Sequence, residues 1–579
     1  MPAPLSANVA SIPNDRSRRS AFQVTTITLA TLAAVLIVGL LAMVLFVSVH
    51  QGSAGLTIEN YRQILHDPVA GQALLNTLGF ALVSVAVAML LGLPVAWLVE
   101  RTDLPGKRLL YSAVTVGIVI PGFFFGIAFS FLFDPDAGLV NKALMSAFNL
   151  SQGPINVASV QGMGIVEGFA LAPLVFILTA SSLRAVDPSL EEAAECCGAS
   201  RIGILRRVTL PLVYPGILGA AIFVFTVAIA AFDIPLIIGQ SRRILTFSTY
   251  LFQKMNPAQG FGVIPYGQAA AFSSVMIVVA LILSVWYTRV LGRGRRFQVV
   301  TGRGYRPKLV RLGKGKFLAW GALSLYFIAG IVVTLIVTLW TAFQPFAGRP
   351  LSIQYLQYLT LDNFSHLPWD TVVSSAVHTL LLMILGPTIA LVFALAFSWF
   401  VLRTRFRLRL AYDFIAFLPQ GVPSAIFAFA AFVLALFYLP VLPSQFYRSM
   451  ALLVIVWALV YVAFATRLTN AALVQLHPEL EEAGQISGAS HWAVLRRITI
   501  PLIRPALVTG WVWMAFLAFR ELTVTAMLGS PDNQTMSVVV YQQWTSNETY
   551  AAALTVIMLA VMIPVIPVLW RLTRRQVFS

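Results

Sequence analysis

Four ionisable side chains, Glu167, Asp233, Arg520 and Glu521, lie inside stretches otherwise apolar enough for lipid. A charge held in a bilayer is costly, so each is a functional candidate by default. Carboxylate oxygens suit hard cations, and this set could help one to pass. The same residues also have a plain structural reading. Arg520 and Glu521 would then brace neighbouring helices, and Glu167 and Asp233 would sit near head groups, toward the outer ends of theirs. A helix starting near Pro505 and rising about 1.5 Å per residue puts Arg520 and Glu521 roughly 22–24 Å from the inner face. Other chemistry is sparse. The six histidines are scattered, no metalloprotease or serine-hydrolase pattern appears, and Cys196 and Cys197 are adjacent, which gives neither a disulfide framework nor a metal spacing.

A second polar pattern occurs twice. Glu192-Ala193-Ala194-x-x-x-Gly198-Ala199-Ser200 closes with Leu210-Pro211, and Glu482-Ala483-Gly484-x-x-x-Gly488-Ala489-Ser490 closes with Ile500-Pro501. Arg pairs, Arg206-Arg207 and Arg496-Arg497, sit at matching places. Pro188 suits the first position of a short helix with Asp187 as N-cap. Glu191, Glu192 and Glu195 fall in its early turns, where acidic groups suit the helix dipole. Gly198 stands where the helix needs a left-handed residue to stop. Ser200 then caps a second helix, with Ile202, Leu205 and Val208 on one apolar face, and Pro211 discourages its continuation. Trp492, Leu495 and Ile498 repeat that face. The product is an amphipathic helix–turn–helix. A DNA-binding role is excluded by the apolar stretches on either side. An interfacial hairpin lying on lipid explains one copy, but not the duplicated spacing, which suits two equivalent partners.

These residues need a membrane frame. The chain has 579 residues, 59% hydrophobic and 11% charged, against about 25% charged in soluble domains. Apolar runs long enough to span as helices fall near 22–48, 73–99, 109–133, 163–182, 214–238, 268–290, 318–344, 374–402, 411–438, 449–468, 505–528 and 550–570. The first run, from Ala21 to about Val49, is about twice a signal peptide's 7–15-residue apolar core, so it reads as a retained helix. The net charge of +17 does not indicate nucleic acid, because 31 of the 39 Lys and Arg fall in segments on one side of these runs. That is the positive-inside bias, with basic groups beside anionic lipid. It puts both termini and both polar cassettes in the cytoplasm.

The duplication extends beyond the cassettes. Asn76-Thr77-Leu78 matches His378-Thr379-Leu380, Arg101-Thr102 matches Arg403-Thr404 and Pro121 matches Pro423 at an offset of 302, whereas Pro215 matches Pro505 and Gly239 matches Gly529 at 290. The first copy therefore has a longer outer loop around 134–162. Six helices per copy return the chain to its starting side, so the copies are parallel repeats. The expected organisation is an all-α polytopic membrane protein of about 12 spans. Residues 1–291 form the first repeat with its loop at 183–213, 292–317 a Gly- and Arg-rich cytoplasmic linker, and 318–579 the second repeat with its loop at 470–504.

The cassettes resemble the signature loop of the membrane subunits of bacterial binding-protein-dependent ABC importers, and the six-plus-six layout extends that resemblance over essentially the whole chain. It implies the type I importer permease fold in the inner membrane, with each loop forming a coupling helix that docks on an ATP-binding subunit. Carried over, the coupling residues are Glu192, Ala193, Ala194, Gly198 and Pro211, and Glu482, Ala483, Gly488 and Pro501. Glu192 and Glu482 are the docking acids. Gly484 replaces the family's usual Ala, which loosens the helix by up to about 1 kcal/mol. The chain has no phosphate-cradling loop: only Lys107, Lys314 and Lys316 follow a glycine, and none precedes Ser or Thr. The resemblance thus implies a transport subunit that binds no cofactor. Two separate ATPase subunits hydrolyse ATP, and a periplasmic solute-binding protein delivers cargo.

Phe232-Asp233-Ile234-Pro235-Leu236-Ile237-Ile238-Gly239 and the stretch Val299–Pro307 resemble the ferric-iron branch. Relatives carrying thiamine, 2-aminoethylphosphonate or polyamines share the architecture and stay open as alternatives. A secondary transporter is the rival from another class. Its only echo is the loop Arg101–Arg108, and it leaves the cassettes unexplained.

Overall fold

The computed structural model describes all residues except 1–14, 51–54, 118–119, 257–264, 295–308, 405, 439–445 and 563–579. The polar N-terminal tail, the C-terminus, the 299–307 stretch, most of the loop near 439–448 and the end of the last expected span lie outside the described residues.

Among the described residues, nine helices are long and apolar enough to cross a bilayer, and a bent pair makes a tenth. The first half contains α1 (Asp15–Ser48), α2 (Pro68–Arg101), α3 (Lys107–Gly117), α4 (Gly122–Phe133), α5 (Val160–Arg184), α6 (Pro188–Cys196), α7 (Leu210–Ala230) and α8 (Tyr266–Gly294). The second contains α9 (Gly315–Ala342), α10 (Trp369–Arg403), the pair α11 (Arg409–Gly421) and α12 (Ser424–Phe437), and α13 (Met450–Val474). It continues with α14 (Pro478–Ile486), α15 (Ile500–Phe519) and α16 (Glu548–Met562). The described residues contain no strand beyond two isolated bridges. Two of the twelve expected spans, those of α4 and α16, are shorter apolar helices here.

Several expected single spans are broken, each for a local reason. The run 109–133 is divided into α3 and α4 by Pro121, which is extended at φ −61° and ψ 143°. Its counterpart Pro423 separates α11 from α12 with a bend of 102°. Proline cannot donate to the helix and pushes the preceding residue out of the helical region. The run 214–238 stops at Ala230, because Pro235 has no N–H for the carbonyl of Ala231. The run 505–528 stops at the equivalent place, Phe519, with a short helix Thr523–Met527 beyond. No proline stands there. The free N–H of Val524 is instead met by Glu521, whose Oε1 accepts it at 2.9 Å.

Proline does not always break the chain. The expectation that Pro211 ends the cassette's second helix is not met. Arg201–Ile204, a π turn at Leu205–Thr209 and α7 run on continuously. The amide of Leu210 bonds the carbonyl of Leu205, five residues back. The wider turn makes room for the proline ring that an α-turn would drive into a carbonyl. The same π turn recurs at Leu495–Thr499 before Pro501.

The first helix of each half packs on the other half. The Thr31 hydroxyl of α1 bonds Tyr412 of α11 at 2.9 Å, and Phe22 packs edge-on against Trp399 and Trp492. Tyr326 of α9 stacks on Phe169 of α5 with ring centroids 6.0 Å apart. A core of buried alanines and phenylalanines runs between the halves along α1, α8, α10 and α12. The described end of the linker is tied back to the first half. Val310 N–H donates to the carbonyl of Arg101 at 2.9 Å, and Asp103 N–H donates to that of Val310 at 3.0 Å. The Leu312 amide and the Lys316 ammonium hold the Asp103 carboxyl below the usual carboxylate range. Trp320 packs over Gly106, where a side chain would meet the indole at 3.1 Å.

Candidate functional site

Each cassette folds as its sequence dictates. Asp187 caps α6 by accepting the Ser189 amide, and Pro188 starts it. In the second copy Pro478 starts α14, while His477 supplies no side-chain cap. Both helices end in the same reverse turn. Gly198 N–H donates to the carbonyl of Glu195 at 2.9 Å and Ala199 N–H to that of Ala194 at 3.0 Å. Gly488 and Ala489 make the matching bonds to Gln485 and Gly484 at 2.9 and 3.1 Å. This double bond is the Schellman motif, which requires a left-handed residue. Gly198 and Gly488 supply it at φ +80° and +82°. Ser200 and Ser490 then cap the following helices by accepting the amides of Gly203 and Ala493.

The two cassettes therefore share a shape and differ in surface. Cys196 and Cys197 are exposed. Ile486, the counterpart of Cys196, is 87% exposed. Glu482 and Ala483 are exposed, as is Ala193, whereas Glu192 and Ala194 are half-buried. The Arg pairs 206–207 and 496–497 both face outward. Of the expected apolar face, Leu495 and Ile498 are half-buried, but Trp492 remains 48% exposed. Gly484 sits close to the second helix of its cassette: a β-carbon there would meet Ile498 Cδ1 at 2.6 Å and Val494 Cγ2 at 3.2 Å.

Sequence reasoning singled out Glu192 and Glu482 as docking acids; a role it missed, fastening each helix to the spans, falls to the acid before each. Glu191 accepts from Arg101 at 3.3 Å and from the Thr209 hydroxyl at 2.7 Å. Glu481 accepts from Arg403 at 3.0 Å and from the Thr499 hydroxyl at 3.2 Å. The signal was available: Arg101-Thr102 and Arg403-Thr404 match in sequence, as do Glu191 and Glu481.

The four intramembrane charges come together where the broken helices meet. Arg520 and Glu521 are not within a helix, as expected, but in the gap after α15. Arg520 Nη1 donates to the carbonyl of Ile120, in the α3–α4 break, at 3.2 Å. Glu521 also accepts from the Tyr461 hydroxyl of α13 at 3.2 Å. Asp233 lies in the gap after α7, against Gly122, where a β-carbon would meet its Oδ2 at 3.1 Å. It is within electrostatic reach of Arg520 and Glu521. Glu167 is 8% exposed, about two turns inside α5, and within reach of both Asp233 and Arg520. Glu167 lies about two turns from the outer end of α5, and Asp233 just beyond the end of α7, as expected of residues toward the outer ends of their helices. No described residue donates a hydrogen bond to Glu167. No set of three or more metal-binding side chains is grouped as a metal site among the described residues.

At the end of the bundle opposite the cassettes, a cavity of about 540 Å³ lies between the halves, lined by Asp134, Lys142, Gln240, Arg242, Trp544 and Glu548 among others. Arg242 pairs with Asp136 and lies 3.9 Å from Asp134. Bonds between the halves frame it: Trp544 Nε1 donates to the carbonyl of Ile237 at 3.1 Å, and Lys142 Nζ to that of Gly348 at 3.1 Å.

The sequence matches the family described as binding-protein-dependent transport system inner membrane component twice, over residues 88–296 and 386–577. Among curated proteins it is similar to the Fe(3+)-transport system permease protein FbpB 2 of Haemophilus influenzae, 24% identical over 512 residues, covering 87% of this chain and 90% of that protein. The Ferric transport system permease protein FbpB of Actinobacillus pleuropneumoniae is 23% identical over 547 residues, covering 90% of this chain and 74% of that protein. The Putative 2-aminoethylphosphonate transport system permease protein PhnU of Salmonella typhi is 32% identical over 183 residues, which is 31% of this chain and 63% of that protein. The chain belongs to the binding-protein-dependent transport system inner membrane component family, and it is a multi-pass membrane permease subunit.

Proposed function

We propose that this permease moves iron(III) into the cytoplasm of a bacterial cell through its inner membrane, with both termini and both cassettes on the cytoplasmic side. The observation that carries the cargo is the reach of the ferric permeases, which match most of the chain; the 2-aminoethylphosphonate permease matches 31% of it. A periplasmic solute-binding protein delivers the ion at the cavity between Asp134 and Glu548. Two ABC ATPase subunits dock on the cassettes and hydrolyse ATP, and this chain binds no cofactor of its own. Residues 1–291 and 318–579 act as the two repeats, joined by the linker 292–317.

In this reading the central charges line the passage. Glu167 and Asp233 offer carboxylate oxygens, which suit a hard cation. Arg520 and Glu521 stand beside them and also hold the broken helices through Ile120 and Val524. Three carboxylates and one arginine bias the site toward a cation.

The test is reconstitution with the cognate ATPase and binding protein in proteoliposomes. Ferric-loaded binding protein is expected to stimulate ATP hydrolysis and uptake of radiolabelled iron. Stimulation by 2-aminoethylphosphonate, thiamine or a polyamine instead would overturn the cargo. Uptake that proceeds without ATP would overturn the whole mechanism.

A further inference from the structure

We infer that each half carries a partly buried Arg–Glu–Thr clamp that positions its coupling helix and turns displacement of that helix into displacement of the spans. The clamps are Arg101–Glu191–Thr209 and Arg403–Glu481–Thr499, and the inference rests on the ATP-driven reading above.

The geometry joins four elements at one point. Arg101 is the last residue of α2 and is 6% exposed. Its Nη1 bonds Glu191 on α6, and its Nη2 donates to the carbonyl of Leu183, at the end of α5, at 2.8 Å. Glu191 passes the contact to Thr209, which closes the π turn leading into α7. In the second half Arg403 ends α10 and reaches Glu481 on α14 through Nε and Nη2, at 3.0 and 3.4 Å. It also donates to the carbonyls of Leu473 and Leu476, both at 3.3 Å, and Glu481 accepts from Thr499. Leu183 and Leu473 are counterparts, so both arginines add a side-chain bond to the same carbonyl at a helix C-terminus, which the N–H of Val186 or Leu476 also reaches.

Two features separate this from ordinary packing. First, the arginine forks bind a carboxylate and a carbonyl together, a geometry that fixes direction as well as distance. Second, the π turn sits at the same place in both halves and ends on the threonine that contacts the glutamate. Such turns are rare and recur at functional sites. A coupling helix held only by apolar contact could roll. One held at Glu191 moves with the ends of α2, α5 and α7.

The test uses the full complex with its ATPase and binding protein. Thr209→Val with Thr499→Val removes two hydroxyls and keeps the shape, and Thr209→Ser with Thr499→Ser restores the hydroxyls. Coupling between sites is typically worth roughly 5–150-fold, so the valine pair should lower the ratio of stimulated to basal hydrolysis about tenfold. The complex should stay assembled by size-exclusion chromatography, and the serine pair should recover the ratio. An assembled valine pair with the wild-type ratio overturns the clamp. A valine pair that loses assembly and basal hydrolysis as much as stimulation assigns these residues to folding alone, and overturns it too. A wild-type complex without any stimulation overturns the ATP-driven reading on which the clamp rests.

Discussion

Replacing Gly198 and Gly488 in a graded series isolates the turn of each cassette from every other contribution. A β-carbon built at either glycine meets nothing within 4 Å, so substitution adds no clash and the cost is that of the backbone alone. Both residues hold φ near +80°. An alanine held there costs about 1–2 kcal/mol, and asparagine less, because its side chain tolerates the left-handed region. A β-branched valine costs more, and proline, fixed near φ −65°, cannot close the turn at all. A loss of 1–2 kcal/mol shifts the ratio of closed to open turn by about 5–30-fold. Binding-protein-stimulated ATP hydrolysis should therefore fall in the order Gly, Asn, Ala, Val, Pro. Membrane insertion should hold, because the turn lies outside the spans. Stimulation in the alanine and valine variants equal to wild type would refute the reasoning. Equal loss with asparagine and valine would show that the glycine is needed for close approach of a partner, not for its conformation.

Glu521→Gln keeps an acceptor for the Val524 amide while removing the charge. Iron uptake in proteoliposomes should fall severalfold while stimulated hydrolysis and protein level persist, and uptake at the wild-type rate would remove Glu521 from the passage. For orientation, single cysteines placed at Met145 and Val310 in a chain lacking Cys196 and Cys197 should separate cleanly. An impermeant thiol reagent outside intact cells should label 145 and spare 310, and labelling of 310 would invert the assigned sidedness.

The helical frame, the duplication and the cassette turns were legible because each has a local cause: long apolar runs, a repeated spacing, and a glycine where a helix must stop. What the sequence concealed depends on long-range contact. Pro211 and Pro235 share a residue type, yet one is absorbed by a π turn and the other ends a helix. Composition does not decide between those outcomes. The break after Phe519 has no proline at all and is held by Glu521, which reads as a buried charge until Val524 is seen to need it. The functional and structural readings of the central charges were set apart in the sequence, but Arg520 and Glu521 already have structural partners at the place where a cargo could pass. Glu191 was passed over for Glu192 because its partners, Arg101 and Thr209, lie 90 residues before it and 18 after.

The halves differ most where they would meet identical partners, and that constrains how docking works. On the proposed reading, two identical ATPase subunits would have to accept Cys196 on one side and an exposed Ile486 on the other. Affinity cannot then depend on that contact. It must rest on what the copies share: the left-handed glycine turn, the outward Arg pair and the short helix held by its clamp. The asymmetry instead falls inside the membrane subunit. Arg101 accepts a backbone bond from Val310 of the linker, whereas Arg403 bonds Glu481, Leu473 and Leu476 of its own half. The segment leading into α9 is thus tied to Arg101, and Tyr326 of α9 stacks on Phe169, two residues beyond Glu167 in α5. In the second cassette, the helix after the glycine turn is braced by Phe22 of α1 through Trp492. Under the proposed ATP-driven reading, the strokes of two ATPase subunits would reach the central charges by two unequal routes. Asp233 faces Gly122 in one half while Glu521 faces Tyr461 in the other, so the walls that receive those strokes are also unequal.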